Sequence, residues 1–515
     1  MLLNEVVATS GQVASTRSRK QKIALLAACL TSAHAQGADL EVIASWLAGR
    51  LRQRRTGVGW RSVHDLPAPA ASPTLTTAQV EDTFAALGAV AGQGSRTSRS
   101  GAVEQLFSAA TDDEQQWLRG IITGEVRQGA LDALVQEALA VATAAPLVTV
   151  RRAAMLAGGT PPVAELAFSG GAPALAQVAL TPGRPVLPML ASSAPDLATA
   201  LDRLSPTGHE QVAVDAKLDG IRLQAHKHAG QVVLATRSLD VITDRLPEVV
   251  AVVEALPADD LVLDGEALWM DEAGRPRAFQ ETASRTAQSD GGAVTPFFFD
   301  LLHLDGVDLL DRPAHERWAA LERLVPERFR VERLVTADPD EAASFQWRVL
   351  AEGHEGVVVK DVEAPYDAGR RGSSWIKVKP VHTLDLVVLA VEQGSGRRRG
   401  WLSNIHLGAR SAATGEFVMV GKTFKGMTDQ MLAWQTQRFT ELATGPTDGW
   451  VVPVRPEQVV EIALDGIQRS TRYPGGVALR FARVVGYRDD KTVDQVDTIE
   501  AIREQFWGRA SAGDA

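Results

Sequence analysis

A lysine between a β-type run and a glycine turn is the strongest chemical signal in this sequence. The segment Val214-Asp-Ala-Lys-Leu-Asp-Gly-Ile-Arg222 ends an apolar run at Lys217, turns at Asp219-Gly220 and begins a second run. An amine at the end of a rigid strand, beside a glycine that lets a ligand approach closely, is suited to nucleophilic attack. A hairpin with an exposed lysine is the alternative, and the segment taken alone does not decide between them.

Lysine is scarce in this chain, so each retained lysine is informative. Of the 53 basic residues, 10 are lysine and 43 are arginine. Only lysine can be deprotonated into a nucleophile, so a lysine kept among so many arginines is a candidate for a site that needs an amine. The lysines that we single out on this ground are Lys217, Lys360, Lys377, Lys379 and Lys491.

Further charged residues stand at the ends of short apolar runs downstream of this lysine segment. Val262-Leu-Asp-Gly-Glu266 ends in a carboxylate, and His354-Glu-Gly-Val-Val-Val-Lys360 carries a glutamate and a lysine at its two ends. In Ser374-Trp-Ile-Lys-Val-Lys379 the tryptophan and both lysines alternate, so they share one face of a strand. Arg480-Phe-Ala-Arg483 and Arg488-Asp-Asp-Lys491 form a basic cluster near the C-terminus.

The composition excludes several classes of protein. The 515 residues, 45% hydrophobic and 23% charged, are typical of a globular chain of about three domains. No run of ~18 apolar residues is present, and the first residues lack the pattern of a secretory signal. The single Cys29 excludes a disulfide framework and any zinc site with two cysteines, and fits a reducing cytosol. A net charge of −10 argues against a nucleic-acid partner, although a narrow basic stripe can still bind phosphates.

The predicted elements divide the chain into a helical part and two parts rich in strands. Helical spacing predicts helices over 22–30, 39–51, 77–89, 112–118 and 131–145, with loops at 65–73 and 92–101 and a linker around 158–188. From about residue 205, short β-type runs and a helix over 314–324 predict a mixed α/β domain. After residue 384, strand-like runs and one helix over 428–442 predict a small β-barrel.

In this order and at these separations, the motifs resemble the nucleotidyltransferase motifs of ATP-dependent DNA ligases. The lysine segment resembles the motif that carries AMP, and the segments around Arg237, Asp264-Gly-Glu266 and Phe299 resemble those that follow. The segments 355–360, 366–372, 375–379 and 480–491 resemble the remaining motifs. The segment 122–129 resembles a turn of the family's N-terminal DNA-binding domain, and 16–20 resembles that domain's first DNA contact. The chain departs from the family at Asp215, where glutamate is usual, and at Ser238 and Ala482.

The resemblance implies a role for each of these residues. Lys217 is the expected nucleophile, and Mg²⁺ is expected on Glu266 and Glu355. The expected contacts to AMP or the phosphates are Asp215, Arg222, Arg237, Glu266, Phe299, Arg371, Lys377 and Lys379. The expected contacts to DNA are Arg19, Lys20, Arg127, Arg480, Arg483 and Lys491.

The resemblance also implies an architecture, namely a multidomain α+β protein. We expect an all-α DNA-binding domain over 1–178, an ATP-grasp-like α+β adenylation domain over 179–382, an OB-fold β-barrel over 383–508 and a disordered tail over 509–515. The expected cofactors are ATP and Mg²⁺. The expected partner is nicked double-stranded DNA, bound by a monomer with no membrane partner, in the nucleoid-associated cytoplasm of a bacterium.

The implied activity is the sealing of DNA nicks through a lysyl-AMP and a DNA-adenylate, in replication, repair or recombination. An RNA ligase or a capping-type nucleotidyltransferase shares the lysine motif and is one alternative. A DNA-clamping scaffold with a dead nucleotide site is another, and the intact lysines and glutamates argue against it. An NAD-dependent ligase is disfavoured, because that family carries a four-cysteine zinc site and this chain has one cysteine.

Overall fold

The computed structural model divides the chain into two compact units. One comprises Met1–Ser192, Asp219–Arg333 and Lys360–Trp375, and the other Ser193–Leu218, Leu334–Val359 and Ile376–Ala515. The structure describes all residues except 54, 55, 91, 93, 127, 129–131, 207–209, 272, 273, 275, 278–280, 283–292, 368–370 and 508–515. The side chains of residues 371, 372, 397 and 507 also lie outside the description, as does the tail predicted over 509–515.

The N-terminal part of the first unit is helical. Side-chain caps begin several helices; for example, the carboxylate of Asp39 accepts hydrogen bonds from the backbone N–H groups of Glu41 and Val42. The apolar faces meet in one core that includes Trp46, Phe84 and Cys29, and burial raises the pKa of the Cys29 thiol to about 11. The helices are Leu3–Ser15, Arg19–Ala35, Leu40–Leu47, Thr77–Ala89, Ser95–Ser108, Asp112–Thr123, Asp132–Thr143, Leu147–Leu156 and Pro161–Ala176.

Two predicted irregular segments are in fact helical. The loop predicted over 92–101 is wrong, because a helix begins at Ser95 directly after Gly94, whose φ of 83° breaks the chain direction. The buried residues of that helix, such as Val103 and Phe107, all lie in its second half. Its first half is polar, so the sequence shows no helical spacing of apolar residues there. The linker predicted around 158–188 is wrong in part, since Pro161–Ala176 is helical on both sides of a kink at Gly171, whose φ of 58° and ψ of −152° are not helical. Prolines are tolerated in the first turn of a helix, where the missing N–H has no partner to lose.

The remaining chain is dominated by strands. These are β1 Leu190–Ala194, β2 Val212–Lys217, β3 Ile221–His228, β4 Gln231–Thr236, β5 Leu261–Trp269, β6 Val294–Leu304, β7 Val307–Asp308, β8 Arg333–Thr336, β9 Gly356–Asp361, β10 Arg371–Val378, β11 His382–Gln393, β12 Leu402–Arg410, β13 Phe417–Thr423, β14 Val451–Pro453, β15 Val459–Leu464, β16 Gly466–Arg469, β17 Val477–Arg480 and β18 Arg483–Tyr487. The helices between them are Leu197–Leu204, Pro247–Glu254, Ala314–Leu324, Pro339–Ala351, Asp429–Leu442 and Ile499–Trp507.

Two five-stranded sheets carry the motifs of the middle region. One is antiparallel with the order β4-β3-β5-β6-β7, and the other has the order β1-β10-β9-β2-β8. In the antiparallel sheet, Arg222 lies opposite Glu266, and Glu266 lies opposite Phe297. Gly265 is required there, because a Cβ at this position would meet the carbonyl oxygen of Phe297 at 2.8 Å. The helices Pro247–Glu254 and Ala314–Leu324 contribute apolar residues to the core on this sheet.

The C-terminal region is an antiparallel β domain. Strands β13-β12-β11-β15-β18 form one sheet, β14 pairs with β11, and β16 and β17 form a separate hairpin. Within the described residues this sheet does not close into the predicted barrel. Strands β17 and β18 are separated at Phe481, whose φ of 54° is left-handed. Among the described residues, no helix has the length and apolar character needed to span a membrane.

Candidate active site

The predicted nucleophile ends β2, which is buried along its length up to Ala216. The Lys217 ammonium contacts the carboxylate of Glu355, and the backbone N–H of Glu355 donates to the carbonyl oxygen of Lys217 at 3.0 Å. Glu355 directly precedes β9, the neighbour of β2 in the sheet. Two adjacent strand ends therefore bring the predicted nucleophile and a predicted metal ligand into direct contact.

Lys379 approaches the same carboxylate from the end of β10. Its ammonium contacts the second oxygen of Glu355 and lies 3.1 Å from Asp465 Oδ2. Burial disfavours this ammonium, but the hydrogen bonds to Glu355 and Asp465 outweigh burial and raise the pKa of Lys379. The close approach of the strands depends on Gly356, since a Cβ there would lie 2.2 Å from the carbonyl oxygen of Val378.

Asp465 extends this arrangement to the C-terminal region. Its Oδ1 lies 3.5 Å from Arg483 Nη1, so the five side chains alternate in charge. We call Lys217, Glu355, Lys379, Asp465 and Arg483 the lysine cluster. Three cations against two carboxylates leave an excess of positive charge, which is suited to binding phosphate groups.

Arg222, expected to contact the nucleotide, has a tightly bound guanidinium. Its Nε and Nη2 donate to the two oxygens of Asp264 at 2.7 and 2.6 Å, and Nη2 also donates to the carbonyl oxygen of Met189. The hydroxyl of Tyr366 donates to Asp264 Oδ2 at 2.5 Å. Burial opposes the charge on Arg222, but Asp264 outweighs it and raises the pKa of the guanidinium. The pKa of the Tyr366 hydroxyl is also raised, through burial and the neighbouring Asp264.

The ring of Phe299 lies within a group of aromatic and cationic side chains. Its centroid is 5.8 Å from that of Trp375 in an edge-on arrangement, and Arg222 Cζ lies 4.9 Å from it. Lys360 Nζ lies 4.6 Å from the Phe299 centroid and 4.2 Å from that of Trp375, with the lysine only 2% exposed. Such cation–π contacts stabilise a buried charge. We call Arg222, Asp264, Phe299, Lys360, Tyr366 and Trp375 the arginine–aromatic cluster.

The other predicted nucleotide contacts that the structure describes lie on β2, β5 and β10 or in the turn after β4. Asp215 is buried on β2, two residues before Lys217 and hence on the same face. Glu266 is half-buried on β5, Arg237 is exposed in the turn after β4, and Lys377 is half-buried on β10. The side chain of Arg371 lies outside the described residues.

The donor set limits how Mg²⁺ could be held. In the described part of the chain, no three His, Cys, Asp or Glu side chains lie together in a group that could hold a metal ion. Both oxygens of Glu355 are bonded by lysines. Mg²⁺ commonly uses only one or two protein carboxylates and completes its shell with water and substrate phosphates. Glu355 supplies oxygen donors of the kind that such a limited role requires.

The predicted DNA contacts are dispersed. Arg19 begins the helix Arg19–Ala35 and pairs with Glu137 at 2.6 Å, and Lys20 beside it is exposed. Arg127 lies outside the described residues. Arg480 ends β17 and Arg483 begins β18, whereas Lys491 contacts Asp385.

The structure also shows partnerships that the motifs did not predict. Asp465 bonds Lys379, which lies 86 residues before it in the chain. Tyr366 bonds Asp264, which lies 102 residues before it. The only sequence signal for Asp465 is its place before Gly466 at the end of an apolar run, which is too common a pattern to indicate a site.

The sequence is similar to known proteins over almost its whole length. Three family models match: DNA ligase N terminus over residues 61–140, ATP dependent DNA ligase domain over 188–379 and ATP dependent DNA ligase C terminal region over 398–491. A probable DNA ligase of Nocardioides sp. is 64% identical over 506 residues, covering 98% of each chain. DNA ligase B of Mycobacterium tuberculosis is 54% identical over 513 residues, covering 98% of this chain and all of its own.

A solved structure named Pmar-Lig_PreS3 has a similar fold. It has a TM-score of 0.64 and 19% identity, and the match covers 94% of this chain and 99% of that one. The family models and the two relatives, which match almost from end to end, agree with the ordered motifs. The chain therefore belongs to the ATP-dependent DNA ligases.

Proposed function

We propose that this ATP-dependent DNA ligase seals nicks in duplex DNA through a lysyl-AMP formed on Lys217. The observation that carries the proposal is the sharing of Glu355 between Lys217 and Lys379. This places an amine at a rigid strand end, beside a second cation and within an excess of positive charge. Such an arrangement is suited to attack on a phosphate, where negative charge builds up in the transition state.

The reaction has three steps. The Lys217 amine, after losing a proton, attacks the α-phosphorus of ATP; a nitrogen–phosphorus bond forms and pyrophosphate leaves. The 5′-phosphate at the nick then attacks the phosphorus of the lysyl-AMP, freeing the lysine and forming a DNA-adenylate. Finally, the 3′-hydroxyl attacks the 5′-phosphate, which joins the strands and releases AMP.

The phosphates are proposed to bind at the lysine cluster. Lys379 and Arg483 are its cations beyond the nucleophile, and the half-buried Lys377 lies two residues before Lys379. Glu355 and Glu266 are proposed as the protein ligands of Mg²⁺, which neutralises phosphate charge when bound. Lys217 and Lys379 each bond one oxygen of Glu355, and the carboxylate keeps further lone pairs that could accept the ion.

The adenosine is proposed to bind through Phe299, Asp215, Arg222, Arg237 and Arg371. Phe299 offers a ring for stacking, and its 9% exposure leaves only part of it accessible. Asp215 is buried on the strand that carries the nucleophile, so it is proposed to contact the base. Arg222 is held by Asp264, which preorganises its guanidinium for the ribose or a phosphate.

The DNA is proposed to contact three regions of a monomer. These are a helical domain over 1–178, an adenylation domain over 179–382 and a C-terminal β domain over 383–508. Arg19 and Lys20 lie in the first turn of a helix, where the backbone N–H groups also attract phosphates. Arg127, Arg480, Arg483 and Lys491 are the further proposed contacts to DNA.

A nick-sealing assay tests the proposal. The full chain is incubated with Mg²⁺, ATP and a labelled duplex that carries one 5′-phosphorylated nick, beside an equivalent RNA substrate and reactions with NAD in place of ATP. We expect the DNA nick to be sealed in the reactions with ATP and not in those with NAD. A transient adenylated DNA strand should appear at short times. Sealing of the RNA without sealing of the DNA would contradict the proposed substrate.

A further inference from the structure

We propose that Asp465 is a carboxylate placeholder, which competes with the phosphates of ATP for Lys379 and Arg483 and thereby limits ATP affinity. The inference rests on the proposed assignment of these two cations to the phosphates. It concerns a residue to which that assignment gives no role. Asp465 is a positioning residue, since it pairs with the two cations until the phosphates of the substrate bind them.

The contacts of Asp465 resemble those that a phosphate group would make. One carboxylate oxygen lies 3.1 Å from the Lys379 ammonium and the other lies 3.5 Å from the Arg483 guanidinium. A phosphate bridges a lysine and an arginine in the same way, with one oxygen on each cation. The side chain of Asp465 is 24% exposed, so an incoming anion can reach this contact from solvent.

The backbone holds Asp465 in this position. It is the single residue between β15 and β16, and its N–H donates to the carbonyl oxygen of Arg480 at 3.0 Å. Arg480 ends β17, three residues before Arg483. The carboxylate is therefore fixed relative to Arg483 by the strands themselves, and its partner Lys379 follows β10.

Charge decides the direction of the effect. A triphosphate that uses Lys379 competes with Asp465 for that ammonium, and it lies close to a carboxylate of like sign. Both the competition and the repulsion oppose binding. Asparagine in place of Asp465 keeps the size of the side chain and removes both costs. For a partly exposed site we expect about three- to tenfold tighter binding of the triphosphate.

The test is the equilibrium binding of α,β-methylene-ATP with Mg²⁺, which cannot react with the lysine. The protein is first stripped of AMP with pyrophosphate, and the dissociation constant is measured by titration calorimetry. Asp465→Asn is compared with Asp465→Glu, which retains the charge. Glu457→Gln is the matched control, because Glu457 pairs with Arg455 at 2.7 Å in the same C-terminal region and both side chains are 51% exposed.

We expect Asp465→Asn to bind the analogue about three- to tenfold more tightly than the wild type, with Asp465→Glu and Glu457→Gln close to the wild type. Unchanged or weaker binding by Asp465→Asn would overturn the inference. Equal tightening by Glu457→Gln would also overturn it, since the effect would then reflect net charge alone. Lys379→Ala separates the two proposals: if it binds the analogue like the wild type, the assignment of Lys379 to the phosphates fails as well. If Lys379→Ala binds the analogue more weakly than the wild type and Asp465→Asn does not bind it more tightly, only the proposed role of Asp465 fails.

Discussion

The hydroxyl of Tyr366 donates to the same oxygen of Asp264 that receives Arg222 Nη2, at 2.5 and 2.6 Å. The tyrosine oxygen in turn accepts a hydrogen bond from the backbone N–H of Met189 at 3.0 Å. A tyrosine 102 residues away along the chain thus fixes the carboxylate that orients a proposed nucleotide contact. The position of Arg222 depends on a buried network as well as on its own strand.

Tyr366→Phe tests this dependence. The variant leaves the Met189 N–H and one oxygen of Asp264 each short of a partner, so we expect a loss of about 1–3 kcal/mol in unfolding free energy. Adenylation should also slow, since Arg222 is less well held. The measurements are thermal unfolding and the rate of AMP transfer to the protein. Tyr473→Phe, at a partly exposed ring near Arg472, is the control, and equal losses in both variants would contradict a special role for Tyr366.

The pair Arg317–Asp300 is fully buried and gives a second prediction. Arg317 Nε and Nη2 donate to Asp300 at 2.8 and 2.9 Å, and Nη1 donates to the carbonyl oxygens of Arg312 and Ala364. Arg317→Met strands a buried carboxylate, so we expect it to cost about 3–5 kcal/mol of stability, measured by denaturant unfolding.

The double variant Arg317→Met with Asp300→Leu distinguishes a stranded charge from a general packing defect. Because no charge is then buried alone, it should recover most of that loss. Arg455→Met, at an exposed ion pair, should change stability by less than about 1 kcal/mol. A double variant as unstable as the single one would refute this explanation.

His226 predicts how stability depends on pH. Burial, with a smaller contribution from nearby His303, lowers the pKa of His226 to about 4. The neutral ring accepts a hydrogen bond from the Gly183 N–H at Nδ1 and lies beside Gln224, whose side chain bonds the backbone of Val186. Protonation would remove the acceptor that holds Gly183.

The unfolded chain takes up a proton on this histidine near its ordinary pKa of about 6.5, whereas the folded chain does so only near the lower value. Stability therefore falls as the pH drops from about 6.5 to about 4, by about 3 kcal/mol from this group. As the pH drops across that range, the unfolding temperature of His226→Gln should fall less than that of the wild type. The exposed His64 is the control, and His64→Gln should follow the wild type; identical curves for His226→Gln and the wild type would contradict the prediction.

Much of the site could be predicted from sequence because its chemistry is local. Lys217, Glu355 and Lys379 stand at strand ends marked by apolar runs and glycines, and those strands are present in the structure. The partners of Asp465 and Tyr366 have no local sequence signal, because they lie 86 and 102 residues away along the chain. The helix Ser95–Ser108 was missed because its polar first half has no apolar face to reveal the period.

Binding of DNA should depend on salt through the residues at the start of the helix Arg19–Ala35. Lys20 is exposed there, whereas Arg19 is partly neutralised by Glu137. If Lys20 contacts a phosphate, Lys20→Ala should lower the slope of log affinity against log salt by about 0.9 for duplex DNA. Fluorescence anisotropy on a nicked duplex at several salt concentrations measures this slope. An unchanged slope would remove Lys20 from the proposed DNA contacts.

Lys217 is the residue proposed to carry AMP. Intact mass spectrometry after incubation with Mg²⁺ and ATP, on protein first stripped with pyrophosphate, tests it directly. We expect the wild type to gain the mass of one AMP and Lys217→Ala to gain none. Circular dichroism should show that both proteins are equally folded. An AMP adduct on Lys217→Ala, or none on the active wild type, would contradict the account.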